Sequence, residues 1–320
     1  MVLQIILLIV GFILLIKGAD IFVDGASSTA ANFKVSKTLI GLTIVAFGTS
    51  APEFAISMQA LASGSTDMVL GNVIGSNIIN ILLILGLAAI VKPIRVRANT
   101  ICKELPICLL VSVLLVVLFL DIQISGGDAN LITRSDGIAI ILFFLVFLYY
   151  LISLARKKKT EKKAIKPKFK LGKSLVLVAI GLAGIIFGSQ MIVNSATEIA
   201  TVLGISERVI ALTVIAFGTS LPELVTTITA ARKGEAELAV GNIIGSNIFN
   251  ICIVLGVPVA LFGTVTSASF QAIDLVMLVV SAVVLFIFAK SGRKLSRREG
   301  VLMLLAFAAY YAVVFVGTNA

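Results

Sequence analysis

Residues Thr43–Glu53 read TIVAFGTSAPE, and Thr213–Glu223 read TVIAFGTSLPE. Eight of the eleven positions are identical, at an offset of 170 residues. Each copy sets a carboxylate into an apolar run directly after a proline. The same offset relates a second pair, GNVIGSNIIN at Gly71–Asn80 and GNIIGSNIFN at Gly241–Asn250. Two long matches in one ungapped register identify an internal duplication. What is duplicated is polar chemistry inside apolar sequence.

The rest of the chain has the composition of a membrane protein. Of 320 residues, 59% are hydrophobic and 13% charged, with mean hydropathy +1.14, far from a soluble domain. Apolar stretches of about 20 residues, enough to cross a bilayer core, recur throughout. The net charge of +10 lies in short loops, where it reports membrane orientation and gives no sign of a nucleic-acid partner. There is no His and no Cys cluster, which excludes zinc and haem chemistry. Cys102, Cys108 and Cys252 are expected to be small packing residues. The run Met1–Ile16 lacks the leading Lys or Arg of a signal peptide and is read as a first membrane span.

Ten spans are expected, at about Val2–Ala30, Thr38–Ala62, Met68–Val91, Cys102–Leu120, Ser135–Ala155, Gly172–Ala200, Ser206–Ala231, Ala236–Phe262, Gln271–Lys290 and Glu299–Val316. Of the 26 Lys and Arg, 23 follow odd-numbered spans. By the positive-inside rule that side is cytoplasmic, so both termini face out. The basic loop 156–173 is then cytoplasmic, an orientation signal and solvated linker, with anionic-lipid or ion binding as the alternative. The organisation is a first five-helix repeat at 1–155, a basic linker at 156–171 and a second repeat at 172–320. Five spans per half is an odd number, so the second copy enters from the opposite face. Inverted repeats of this kind are a signature of secondary transporters.

Glu53 and Glu223 have no Lys or Arg within eight residues. A carboxylate at membrane depth costs several kcal/mol unless paired, hydrated or bound to a cation. A protonated packing glutamate is the alternative, but the cost is incurred twice at equivalent positions. Pro52 and Pro222 lack an N–H and clash with the carbonyls at Gly48 and Gly218. Backbone oxygens freed there must line a cavity or bind something. Hydroxyls of Thr49, Ser50, Thr219 and Ser220 complete an oxygen-rich cage. Ser76 and Asn80, like Ser246 and Asn250, are four apart and share a helix face. Asn72, Asn77, Asn242 and Asn247 add polarity, and Gly71, Gly75, Gly241 and Gly245 permit close helix approach. Asn80 and Asn250 are expected to ligate directly or through water. Hard oxygen donors suit Ca²⁺ or Na⁺ better than Mg²⁺.

These motif pairs resemble the two α-repeats of the cation/Ca²⁺ exchanger superfamily, in its Na⁺/Ca²⁺ exchanger branch, and the resemblance covers essentially the whole chain. It implies an all-α integral membrane protein of the prokaryotic type, with ten transmembrane helices in two inverted five-helix repeats and helices 2, 3, 7 and 8 broken. It also implies a Ca²⁺ site from Glu53, Glu223 and the carbonyls of Thr49 and Thr219. Flanking Na⁺ sites would use Ser50, Ser76, Ser220 and Ser246 with the carbonyls of Ala46 and Ala216. Helices one and six would slide across the core as gates. One departure stands out: such exchangers often carry Asp where this chain has Asn250.

The expected function is a secondary antiporter that exchanges Na⁺ for Ca²⁺ at one central site in the cell membrane. Its substrates are the two ions and its solvent is the lipid bilayer, with no prosthetic group and no obligatory protein partner. H⁺/Ca²⁺ exchange is the nearest alternative, although those relatives typically place Glu where this chain has Gly75 and Gly245. A cation channel would need a continuous pore. No P-loop or HExxH sequence is present to support an enzyme. Asp20 and Asp24 near the first span's end are expected to be solvated with partners one helical turn away, or else to guide ion entry.

Overall fold

A computed structural model describes residues 2–120, 122, 124, 126, 129–156, 167–203, 216–266 and 272–317. The first span is α1 (Val2–Phe33), and the second is split into α2 (Lys37–Thr49) and α3 (Ala51–Ala62). Then follow α4 (Thr66–Val91), α5 (Thr100–Phe119), α6 (Arg134–Arg156) and α7 (Leu171–Val202). The seventh span is described from α8 (Ala216–Thr219) through α9 (Leu221–Lys233). The chain closes with α10 (Ala236–Phe262), α11 (Ala272–Gly292) and α12 (Arg297–Gly317). The expected start of the seventh span at Ser206, the motif residues Thr213–Ile215 and positions 157–166 of the basic linker lie outside the described residues.

Among the described residues seven helices are long and apolar enough to cross a membrane, and the bent α2–α3 pair makes an eighth. With α8–α9 and the 21-residue α12, the segments keep the expected order of ten. Helix is the only open-ended option for these sequences, because lipid offers no partner for a free backbone N–H or C=O.

Burial sorts the spans. The most apolar stretches of α4 and α10 are 78% and 83% buried, against 22% for α1 and 17% for α6. So α4 and α10, which carry the second motif, form the centre. α1 and α7 lie antiparallel against each other, backbone to backbone. A Cβ at Gly18 would sit 2.8 Å from Ile185 N, and one at Gly181 would sit 2.5 Å from Phe22 N. Gly241 and Gly245 bring α10 equally close to α2, where added Cβ atoms would lie 2.7 Å from Thr38 O and Ala46 Cβ. The equivalent neighbours of Gly71 and Gly75, by the repeat offset, fall largely outside the described residues.

Two small antiparallel ladders tie the halves together. β1 (Ile94–Arg95) pairs with β4 (Lys294–Leu295), and β2 (Leu131–Ile132) pairs with β3 (Val265–Thr266). In each ladder a strand following the third span of one half meets a strand joining the last two spans of the other, as an inverted pseudo-twofold requires. A second correspondence between the halves lies in two acid–tyrosine pairs. Tyr150 donates to the buried Glu104, and Tyr310 donates to Asp274 at 2.7 Å, with the two acids 170 residues apart. These pairs pin α5 to α6 and α11 to α12.

Asp20 and Asp24 find partners elsewhere than one turn away. Lys233 reaches Asp24 at 3.0 Å and Asp20 at 3.4 Å, and Lys168 reaches Asp24 at 2.7 Å. The side chains expected to be solvated therefore tie α1 to α9 and to the end of the basic linker. Cys108 and Cys252 are buried, as expected of packing residues, while Cys102 is exposed.

Candidate cation site

The proline motif shapes the site. α2 and α3 meet at 46°, with Ser50 as the non-helical joint (φ −85°, ψ 8°) and Pro52 in the first turn of α3. Ser220 repeats that geometry (φ −87°, ψ 3°) ahead of Pro222. Proline is tolerated in a first turn because its missing N–H would have had no helical partner there. It also leaves the carbonyl four residues back without its helical donor. At Gly218 that carbonyl accepts from Ser189 Oγ of α7 at 2.9 Å. The equivalent position in the first half is Ala19, so the two candidate gate helices grip their joints differently.

In α4 and α10 the interruption is a widened π-helical stretch, Ile79–Leu85 and Asn250–Leu255. Both begin at or next to the last asparagine of the second motif. π stretches inside α-helices concentrate at functional sites because they re-aim side chains.

The site joins the two halves. Ser50 Oγ donates to Glu223 Oε1 at 2.9 Å, and Ser246 Oγ approaches the same oxygen at 3.4 Å. Ser220 lies 3.5 Å from Ser76. Thr49 Oγ1 donates to Asn242 Oδ1 at 3.2 Å and lies 3.4 Å from the Ala46 carbonyl, which also accepts Ser50 N–H at 3.0 Å. Thr219 is buried beside Ser220, and Ala216 opens α8 one turn earlier. Glu53, Glu223, Asn80 and Asn250 are each at most 1% exposed. Of the residues singled out from sequence, Ala46, Thr49, Ser50, Glu53, Ser76, Asn80, Thr219, Ser220, Glu223, Ser246 and Asn250 are all buried.

Among the described residues, seven buried side-chain polar atoms have no hydrogen-bond partner. Four of them are Glu53 Oε2, Glu223 Oε2, Asn80 Oδ1 and Asn250 Oδ1, two pairs related by the repeat offset. Leaving such an atom unpaired costs about 1–3 kcal/mol, and more for a charge. All four are acceptor oxygens. A cation bonds to acceptor oxygens and to nothing else, so it fits a site that presents four of them.

Some contributors were not legible as site residues. Asn72 Nδ2 holds the Glu53 carbonyl at 3.0 Å and Ser57 Oγ at 2.9 Å, and Asn242 Nδ2 holds Thr227 Oγ1 at 3.0 Å. Ser57 and Thr227 are themselves 170 apart, so the repeat offset was the available signal. Thr226 is fully buried, and its hydroxyl has no partner among the described residues. It lies three residues after Glu223, on the same helix face.

Two inverted five-span repeats with paired carboxylates where the halves cross fit a cation antiporter. The sodium/calcium exchanger protein family matches residues 3–153 and 173–316, and the chain belongs to that family. It is a transporter family, and the protein is not an enzyme. The chain is 41% identical to a putative antiporter, CaxA, of Alkalimonas amylolytica, covering 97% of this chain and 98% of that protein. It is 39% identical to the inner membrane protein YrbG of Escherichia coli, covering 97% and 96%. It is 32% identical to the sodium/calcium exchanger MaX1 of Methanosarcina acetivorans, covering 97% of each. Among solved structures, the sodium-calcium exchanger NCX_Mj superposes with a TM-score of 0.83 at 35% identity, covering 98% of both chains.

Proposed function

We propose that the protein exchanges Na⁺ for Ca²⁺ across the cell membrane by alternating access at a single central site. The observation that carries this reading is the set of four buried, unpartnered acceptor oxygens on Glu53, Glu223, Asn80 and Asn250. Two carboxylates neutralise one Ca²⁺, and oxygen-only donors match Ca²⁺ and Na⁺. In this reading Glu53 and Glu223, with the carbonyls of Thr49 and Thr219, hold Ca²⁺. Ser50, Ser76, Ser220, Ser246 and the Ala46 and Ala216 carbonyls serve Na⁺, with Asn80 and Asn250 shared. The relatives named as sodium/calcium exchangers support the ion pair, and Gly75 and Gly245 disfavour proton coupling.

The proposed topology puts both termini outside and the basic loop 156–173 in the cytoplasm, between repeats at 1–155 and 172–320. The deciding experiment is ⁴⁵Ca uptake into proteoliposomes loaded in turn with Na⁺, K⁺ or a pH gradient. Uptake driven by internal Na⁺ alone is expected. Uptake driven by the pH gradient alone replaces this reading with H⁺/Ca²⁺ exchange, and uptake without any counter-ion replaces it with a channel.

A further inference from the structure

Asparagine is an ambiguous lining for a cation site. Its amide presents an oxygen in one orientation and an N–H₂ donor in the other. Asn80 and Asn250 both turn their oxygens to the unpartnered side and their nitrogens away. The cause lies one turn back, at Asn77 and Asn247. Asn77 Nδ2 donates to the Asn247 backbone carbonyl at 3.3 Å, and Asn247 Nδ2 donates to the Asn77 carbonyl at 3.2 Å. A backbone carbonyl only accepts, so these two bonds fix both amides. Their Oδ1 atoms are thereby left as acceptors, and each takes the Nδ2 of the other half's asparagine. Asn250 Nδ2 donates to Asn77 Oδ1 at 3.2 Å, and Asn80 Nδ2 donates to Asn247 Oδ1 at 3.0 Å. The four amides form a closed set in which every nitrogen is committed.

We propose that Asn77 and Asn247 are positioning residues that hold the Asn80 and Asn250 amides oxygen-inward, which makes them fixed cation acceptors. The inference rests on the cage being a cation site and adds what keeps it one. Released from Asn77, the Asn250 amide can turn its N–H₂ toward the site carboxylates, and an arriving cation must then break that charge-assisted bond. A bond of that strength is worth about tenfold in affinity. The device is needed because the position is neutral: a carboxylate shows an oxygen whichever way it turns. The lock therefore has a purpose with asparagine at position 250 that it lacks with aspartate.

The test is a double-mutant cycle read by cation-dependent thermal stabilisation of the purified full-length protein, titrated with Ca²⁺ and separately with Na⁺. Asn77→Ala is expected to raise the half-saturating Ca²⁺ about tenfold. Within an Asn250→Asp background the same change is expected to cost no more than about twofold, the scatter of independent mutations. An equal loss in both backgrounds overturns the proposal and leaves Asn77 a packing residue, as does unchanged affinity in the single variant. If Asn77→Ala does not fold, the symmetric cycle of Asn247→Ala with Asn80→Asp makes the same measurement. Absence of any Ca²⁺ or Na⁺ shift in the unmodified protein counts against the cage as a cation site and removes both readings. A normal cycle without Na⁺-driven ⁴⁵Ca flux leaves the amide lock standing and overturns only the exchange reaction.

Discussion

Replacing Glu223 by glutamine removes one of two charges, and the surrounding bonds determine how the new amide turns. Glu223 Oε1 is held by Ser50 at 2.9 Å and lies 3.4 Å from Ser246, while Oε2 has no partner among the described residues. The two hydroxyl donors retain the glutamine oxygen, so its N–H₂ takes the place of Oε2. A ligand oxygen becomes a donor in the same step as a charge is lost. A unit charge about 4 Å from another at an effective dielectric near 20 interacts by about 4 kcal/mol, and a divalent ion doubles that to about 8. Even half of the divalent figure is about a thousandfold in affinity. Ca²⁺ is therefore penalised more than Na⁺. ⁴⁵Ca uptake into Na⁺-loaded proteoliposomes should fall to background, and melting in cation-free buffer should not drop below that of the unmodified protein. Near-normal uptake by Glu223→Gln would refute the central role of this carboxylate.

Three further outcomes test other parts of the description. In a background where exposed Cys102 is replaced, Lys294→Cys should react with an impermeant thiol reagent only from the cytoplasm and Ala129→Cys only from outside; labelling from one face breaks the inverted topology. If more than two Na⁺ exchange for each Ca²⁺, each net charge moved is worth about 2.3 kcal/mol per 100 mV. An inside-negative potential set with K⁺ and valinomycin should then speed Na⁺-driven extrusion, whereas indifference to potential means electroneutral exchange. Asn250→Asp should alter Na⁺ dependence more than Ca²⁺ affinity. Gly181→Ala places a Cβ 2.5 Å from Phe22 N, while Gly172→Ala meets nothing within 4 Å. The first should cost about 1–3 kcal/mol by overpacking and the second should be near neutral, with equal melting temperatures counting against the tight α1–α7 contact.

The parts of the site legible in the sequence are those that depend on residue type at a fixed offset. Glu53 with Glu223, the prolines behind the joints at Ser50 and Ser220, and the Ser76–Asn80 and Ser246–Asn250 spacings all follow from one 170-residue register. Partnership across the halves was not legible. Local periodicity places Asp24 within reach of its own helix, yet its partners are Lys168 and Lys233, 144 and 209 residues away. Asn77 and Asn247 read only as added polarity, because nothing local states that each faces the other's backbone. Hydropathy marks α4 and α10 as spans, but it does not carry the π stretches within them, Ile79–Leu85 and Asn250–Leu255. The Glu104–Tyr150 and Asp274–Tyr310 pairs are not legible locally because they join different spans, although both acids obey the same offset.

The short β1–β4 ladder has a consequence for how the protein is made. β1 leaves the ribosome about 200 residues before its partner, Lys294–Leu295, which at 5–20 residues per second is a wait of about 10–40 s. Over much of that interval Ser50 is in the bilayer without Glu223, and Asn77 is without Asn247. The nascent first half therefore spends its early life as an inserted but unfinished body, with its most costly polar groups unmatched. The ladder closes only once Lys294–Leu295, between the ninth and tenth spans, has been made.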